Sequence, residues 1–81
     1  MYYVYLLHSK TGRFYVGYST NLGRRITEHK LGQAQTTRNM GSVELVYFEA
    51  YSDIDLAQER EKKLKQFGSA FHGLLKRLHY R

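Results

Sequence analysis

The sequence is 81 residues long, enough for a single domain over residues 1–81 whose core has to be small, because so short a chain buries only about 60–65% of its unfolded surface. It carries 13 Lys and Arg against 7 Asp and Glu, for a net charge of +6, and its 42% hydrophobic residues are typical of a folded chain. The absence of cysteine excludes disulfides and thiolate chemistry, and no apolar run approaches the roughly 20 residues that span a bilayer.

The first elements form a predicted β-hairpin. Tyr2–His8 is rich in strand-forming residues, a turn signal follows, and Phe14–Tyr18 is expected to return as the second strand. A pairing in which residue numbers sum to 20 puts Tyr5 opposite Tyr15 and both side chains on one face of the sheet. A slip of one residue would separate them.

The remaining elements complete a predicted α+β fold of order ββαβαα, a three-stranded antiparallel sheet flanked by three helices. Val43–Tyr51 is the third strand, and because both of its alternating sets are apolar, we expect it to be central and covered on two faces. The first helix is expected to begin at a cap at Thr20 or Asn21 and to end near Leu31. The second is expected to begin at a Ser52–Asp55 capping box and to end near Phe67–Gly68. The third is expected to begin at Ser69, and its apolar face contains Phe71, Leu74, Leu75 and Leu78.

Two side chains of the first helix are candidates for an inward-facing site. With Leu22 set at 0°, His29 falls at about −20° and Arg25 at about −60°, one helical turn apart at the edge of the apolar stripe. Arg24 points to the opposite side and is expected to be ordinary surface.

A carboxylate lies within the apolar stripe of the second helix. With Ile54 at 0°, Glu61 falls at about −20°, close to Ala57, whereas Glu59 points outward. A carboxylate aimed at the core requires a cation, a hydrogen-bond network or a metal, because unpaired burial is costly. Two interpretations remain open: a structural ion pair with Arg25, or a metal ligand.

These residues together resemble the GIY-YIG nuclease family. Tyr3–Tyr5 and Tyr15–Gly17 are similar to its two signatures, and Asn21–His29 is similar to its first helix, with an arginine and a histidine four residues apart. Glu61 falls where the family has its metal-binding glutamate. The resemblance covers nearly the whole chain and is closest to short, stand-alone UPF0213-like members.

The resemblance implies an endonuclease that hydrolyses phosphodiester bonds with one divalent metal, Mg²⁺ or Mn²⁺. By this resemblance Glu61 ligates the metal and Tyr5 acts as the general base. Tyr15 hydrogen-bonds the attacking water or positions the phosphate. Arg25 braces the phosphate and the charge of the transition state. His29 takes part in proton transfer or orients Tyr5.

The sequence also differs from the family. Tyr3 replaces the first glycine, valine replaces isoleucine in both signatures, and no asparagine follows Asn39, although many catalytic members carry one after the glutamate. A non-catalytic nucleic-acid-binding module, or an accessory subunit of a larger DNA repair complex, is therefore an alternative to a DNA endonuclease with little intrinsic sequence specificity.

The positive charge predicts nucleic acid, most simply DNA, as the partner, although a basic protein without such a partner has the same composition. The lack of a signal-peptide pattern predicts a cytoplasmic protein with no membrane partner. The oligomeric state is left open. The residues expected to contact nucleic acid are Arg25, Arg38, Lys62, Lys65, Lys76 and Arg77.

Overall fold

A computed structural model of the chain describes residues 1–32 and 40–80. The elements are β1 (Tyr2–Ser9), β2 (Phe14–Ser19), α1 (Leu22–Lys30), β3 (Val43–Tyr51), α2 (Ile54–Lys65) and α3 (Ser69–Arg77). Both pairings of the sheet are antiparallel. The predicted α+β fold and its ββαβαα order are confirmed.

The sheet has the strand order β2-β1-β3, so the prediction that β3 is central was wrong. Val4–Leu7 of β1 are all at most 1% exposed, whereas β3 is an edge strand. The reason is a bulge: Leu6 pairs with Tyr47 but Leu7 pairs with Leu45, which leaves Val46 as an extra residue. Beyond the bulge, the residues of β3 that alternate along the strand point to the opposite face from the one that a strict period of two predicts. Both alternating sets can therefore be apolar although β3 is not buried on two faces.

Two small cores lie on the two faces of the sheet. On one face, Val4 and Leu6 of β1 pack with residues of α2 and α3. On the other face, Tyr5 and Leu7 pack with Leu22 and Ile26 of α1 and with Val43 of β3. The sheet is therefore a middle layer, with α1 on one side and α2 and α3 on the other.

The helix ends follow local capping chemistry. Asn21 caps α1, as predicted, by accepting a hydrogen bond from the Arg24 amide at 3.1 Å. The cap of α2 is Asp53, not the predicted Ser52: its carboxylate accepts from the Asp55 amide at 2.7 Å and the Leu56 amide at 3.3 Å. Within the described residues, no helix is both long and apolar enough to traverse a bilayer.

Candidate active site

The two candidate tyrosines lie on one face of the hairpin, but in a different register from the one predicted. Tyr5 is opposite Gly17, and Tyr15 is opposite Leu7. The predicted register was therefore wrong by two residues, and because that error is even, both tyrosines still point to the same face. Their ring centroids are 6.2 Å apart, which makes them diagonal neighbours.

Gly17 provides the space for the Tyr5 ring. A Cβ added to Gly17 would overlap the Cζ and hydroxyl oxygen of Tyr5. The ring therefore lies across the backbone of β2, and its hydroxyl is carried toward α1. Glycine is required at this position because of the close approach of the ring, a reason that is independent of backbone freedom.

His29 binds the hydroxyl of Tyr5 in the interior. The Tyr5 hydroxyl oxygen and His29 Nε2 are 2.9 Å apart, and the two residues are 1% and 3% exposed. The imidazole is 5.8 Å from the Tyr5 ring and 5.1 Å from the Tyr15 ring, measured between centroids. Burial, and then the charge of Arg25, lower the pKa of His29 despite the opposing effect of Glu28, so the ring is neutral at neutral pH.

Arg25 supplies a positive charge at the Tyr5 hydroxyl. Its guanidinium lowers the pKa of Tyr5 both as a hydrogen-bonding partner and by its charge. It also donates to Glu28 Oε1 at 3.1 Å, and 40% of its side chain is exposed. The arginine thus contacts the buried tyrosine while remaining accessible to a ligand.

The net effect on Tyr5 is nevertheless a raised pKa, at about 12. Burial is the largest cause, Tyr15 adds to it, and the negative charge of Glu61 acts in the same direction. Tyr15 therefore opposes the effect of Arg25 and disfavours the phenolate. Tyr5 is therefore a protonated phenol at neutral pH.

Glu61 lies at the edge of the site and not in the middle of an apolar stripe. Its side chain is 22% exposed and its Oε2 is 3.2 Å from Lys65 Nζ. The predicted apolar stripe was centred wrongly, because it was placed on Ile54, which is 40% exposed. The buried residues of α2 are Ala57 and Leu64. The structural ion pair between Glu61 and Arg25, one of the two predicted alternatives, does not form. Glu61 pairs with Lys65 instead, and Arg25 pairs with Glu28.

Glu61 fits a hard divalent cation as a single ligand. Its partly exposed carboxylate offers oxygen donors, and its charge influences Tyr5. Among the described residues, no group of three or more His, Cys, Asp or Glu side chains is arranged to hold a metal. A cation here would thus take most of its ligands from water and substrate, which suits Mg²⁺ or Mn²⁺ and excludes an all-protein cage.

The basic residues expected to contact phosphate occupy accessible positions where they are described. Lys62, Lys65, Lys76 and Arg77 are exposed. Arg38 lies outside the described residues.

A buried charge network on the opposite face of the sheet was missed by the sequence analysis. Glu49 accepts hydrogen bonds from the hydroxyls of Tyr47, at 2.6 Å, and Tyr51, and from the Arg60 guanidinium, at 3.0 Å. Burial raises the pKa of Glu49, but the bonds from Arg60 and the two tyrosines outweigh it, so the pKa is lower than usual. The network ties β3 to α2, one residue before Glu61.

The signal for this network was the alternation Tyr47, Glu49, Tyr51, which places one carboxylate between two hydroxyls on a strand face.

Known proteins are similar to this chain over most of its length. A sequence model described as the GIY-YIG catalytic domain matches residues 1–72. A UPF0213 protein of Natronomonas pharaonis is 39% identical over 69 residues, covering 84% of this chain and 81% of the relative. A UPF0213 protein of Clostridium perfringens is 43% identical over 67 residues, covering 82% and 72%.

A solved structure is also similar. The solution NMR structure of a UPF0213 protein from Bacillus halodurans matches with a TM-score of 0.60 and 35% identity, covering 96% of this chain and 85% of that one. The likeness extends over nearly all of both chains.

Proposed function

Since this chain belongs to the GIY-YIG nuclease superfamily, we propose that it is a metal-dependent endonuclease that hydrolyses phosphodiester bonds in DNA with little intrinsic sequence specificity. The observation that carries the proposal is the buried bond between the Tyr5 hydroxyl and His29 Nε2, with Arg25 beside it. A buried phenol, a neutral imidazole and an accessible guanidinium make a site for proton transfer and charge stabilisation.

Glu61 is the proposed ligand for one Mg²⁺ or Mn²⁺ ion. Its carboxylate is accessible and belongs to the electrostatic surroundings of Tyr5. When bound, such a cation neutralises phosphate charge and lowers the pKa of a bound water. With its charge neutralised in this way, Glu61 would no longer disfavour the phenolate, so the Tyr5 hydroxyl would pass its proton to His29 more readily.

Tyr5 and His29 form the proposed proton relay. Because Tyr5 is protonated at neutral pH, it accepts a proton from the attacking water only as its own proton leaves. The neutral His29 accepts that proton at Nε2, across the 2.9 Å hydrogen bond, and becomes an imidazolium. The relay requires the tautomer in which Nδ1 carries the hydrogen.

Arg25 and Tyr15 hold the phosphate in this proposal. Arg25 is exposed enough to reach a phosphate oxygen and always charged, so it stabilises the charge that develops in the transition state. Tyr15 borders the same pocket of aromatic rings, 5.1 Å from the imidazole between centroids, and orients the water or the phosphate.

A non-catalytic nucleic-acid-binding module is the second candidate, whether it acts alone or as an accessory subunit of a DNA repair complex. The burial of Tyr5 favours it, because it raises the pKa of the phenol to about 12 and leaves almost no phenolate at neutral pH to act as a base. Both candidates use the net charge of +6 to bind DNA.

The two candidates are separated by incubating the purified chain with duplex, branched and single-stranded DNA and with RNA, in Mg²⁺, in Mn²⁺ and in EDTA. We expect cleavage of DNA in either metal and none in EDTA. Tyr5→Phe removes the relaying hydroxyl and should lower the cleavage rate at least about 100-fold, whereas Tyr18→Phe, on the other face of β2, should not. Binding of DNA without cleavage under every condition would favour the non-catalytic module.

A further inference from the structure

An aromatic pair made of the half-buried Tyr3 and the exposed Phe48 lies on the same face of the sheet as the candidate active site. The rings of Tyr3 and Phe48 meet edge to face, with centroids 6.1 Å apart and planes at 63°. Half of Phe48 is exposed, and Ala50, which pairs with Tyr3, is exposed beside it. We call Tyr3, Phe48 and Ala50 the aromatic platform.

The aromatic platform is not part of the core on this face. That core contains Tyr5 and Leu7 together with residues of α1 and the start of β3. Phe48 pairs with Tyr5 across the sheet, so the platform begins directly beside the buried tyrosine and extends to Tyr3 and Ala50, which pair with each other near the end of β3. An edge-to-face pair leaves at least one ring face free for a further planar partner.

The charge around the aromatic platform suits a polyanion. Glu49, the acidic residue between Phe48 and Ala50, points to the opposite face, where Arg60 neutralises it. Arg25 is at the Tyr5 hydroxyl, on the platform's side of the sheet. The platform therefore presents an apolar ring surface on the same side of the sheet as Arg25, in a chain of net charge +6.

We propose that the aromatic platform stacks an unpaired nucleotide base, so that single-stranded DNA, or a single-stranded segment beside a duplex, is the substrate presented to the active site. A base in a duplex is stacked on its neighbours, whereas an unpaired base offers a free π-face to an aromatic side chain. This inference rests on the proposed function for the role of the site, but the stacking itself requires neither metal nor cleavage.

The test uses the absence of tryptophan from the chain. Phe48→Trp keeps an aromatic ring on the platform and makes it the only indole. Phe67→Trp is the matched control, since Phe67 is 48% exposed and packs on Phe71 of α3, away from the platform. In EDTA, an oligothymidylate strand should quench the emission of Phe48→Trp saturably and leave that of Phe67→Trp unchanged. A blunt-ended duplex without a loop should quench neither.

Phe48→Ala provides the second measurement, by fluorescence anisotropy of the same labelled strands. Loss of one stacked base should weaken binding of the single strand roughly 5- to 150-fold and leave the affinity for the blunt-ended duplex unchanged. An unchanged single-strand affinity, an equal loss for both strands, or a silent Phe48→Trp would overturn the inference. So would Phe48→Trp emission that depends on protein concentration without DNA, because it would indicate a second copy of the chain paired along β3.

These outcomes separate the inference from the proposed function. Quenching without metal-dependent cleavage would support the platform and reject the nuclease. Cleavage with equal preference for duplex and single strand, and no quenching, would reject the platform and leave the nuclease standing.

Discussion

At the scale of single residues, the contact between Tyr5 and Gly17 organises the site. The tyrosine hydroxyl reaches His29 only because nothing but a glycine backbone lies beneath the ring. Gly17 thus determines where Tyr5, on the central strand of the sheet, places its hydroxyl oxygen.

Gly17→Ala tests this contact. The added methyl overlaps the ring, so we expect a loss of about 1–3 kcal/mol of unfolding free energy, typical of overpacking, together with displacement of Tyr5 from His29. Gly73→Ala is the control: nothing lies within 4 Å of its added Cβ, and alanine in a helix interior should stabilise by about 0.5–1 kcal/mol. Urea unfolding of both variants gives the comparison, and equal effects would refute the role given to Gly17.

The buried His29 should make stability depend on pH. Its pKa in the folded chain is below the ordinary value of about 6.5, so folding favours the neutral ring. The stabilisation is complete above pH 6.5 and is lost as the pH falls from there through the folded-state pKa. The melting temperature of wild type should therefore fall more between pH 8 and 5, on the order of a few degrees, than that of His29→Gln. The exposed His72→Gln should follow wild type.

The sequence predicted the positions of Arg25 and His29 on α1 better than it predicted the contacts of the candidate site. Arg25 and His29 follow from helical periodicity, because α1 has one clear apolar stripe. The predicted hairpin register was wrong because it did not take the length of the turn into account. The Ser9 amide donates to the Arg13 carbonyl, which leaves a loop of three residues that ends at Gly12. Gly12 has a φ of 89°, and a left-handed third residue is typical of such a loop. That signal was present in the sequence.

At the scale of elements, the orientation of α2 is set by the Glu49 network as well as by its apolar residues. Only Ala57 and Leu64 of this helix are buried, so apolar contacts alone hold few of its 12 residues against the sheet. The bidentate bond from Arg60 to Glu49 supplies a directional contact, and the adjacent Glu61 is close enough for its charge to act on Tyr5.

Removal of Arg60 should therefore destabilise the chain. Arg60→Met leaves the carboxylate of Glu49, 15% exposed, with only its tyrosine donors, and we expect a loss of about 1.5–3 kcal/mol. Lys63→Met is the matched control on α2: its ion pair with Glu59 has both side chains about 60% exposed and should contribute less than about 1 kcal/mol. Chemical unfolding measures both, and a loss no larger than the control's would contradict the role of the network.

Two features of β3 were beyond simple pattern reading. The bulge at Val46 reverses the alternation along the strand, which a strict period of two cannot represent. The bond between Arg60 and Glu49 joins residues of different elements, and no local rule pairs them. The elements were predictable from periodicity, and the contacts between them were not.

At the scale of the whole molecule, we propose that residues 1–81 act as a single domain whose positive charge recruits DNA. With a net charge of +6, binding releases counterions from the phosphate backbone. Affinity for DNA should therefore fall steeply as salt rises, and the double variant Lys76→Gln, Arg77→Gln should reduce the logarithmic salt slope by about 1–2 if both residues contact phosphates. Anisotropy titrations over a salt series measure this, and a flat response would remove the electrostatic argument.

The central claim is that Glu61 holds a catalytic divalent metal, and the most direct measurement is metal-dependent cleavage by Glu61→Gln beside Glu59→Gln, with thermal stability recorded for both. Both glutamates lie on α2 and pair with a lysine four residues later, at 3.2 Å in each case, so the two substitutions remove equivalent ion pairs of less than about 1 kcal/mol. We predict that Glu61→Gln abolishes cleavage in Mg²⁺ and Mn²⁺ with a stability close to that of Glu59→Gln, which should cleave like wild type. Cleavage retained by Glu61→Gln would contradict the account.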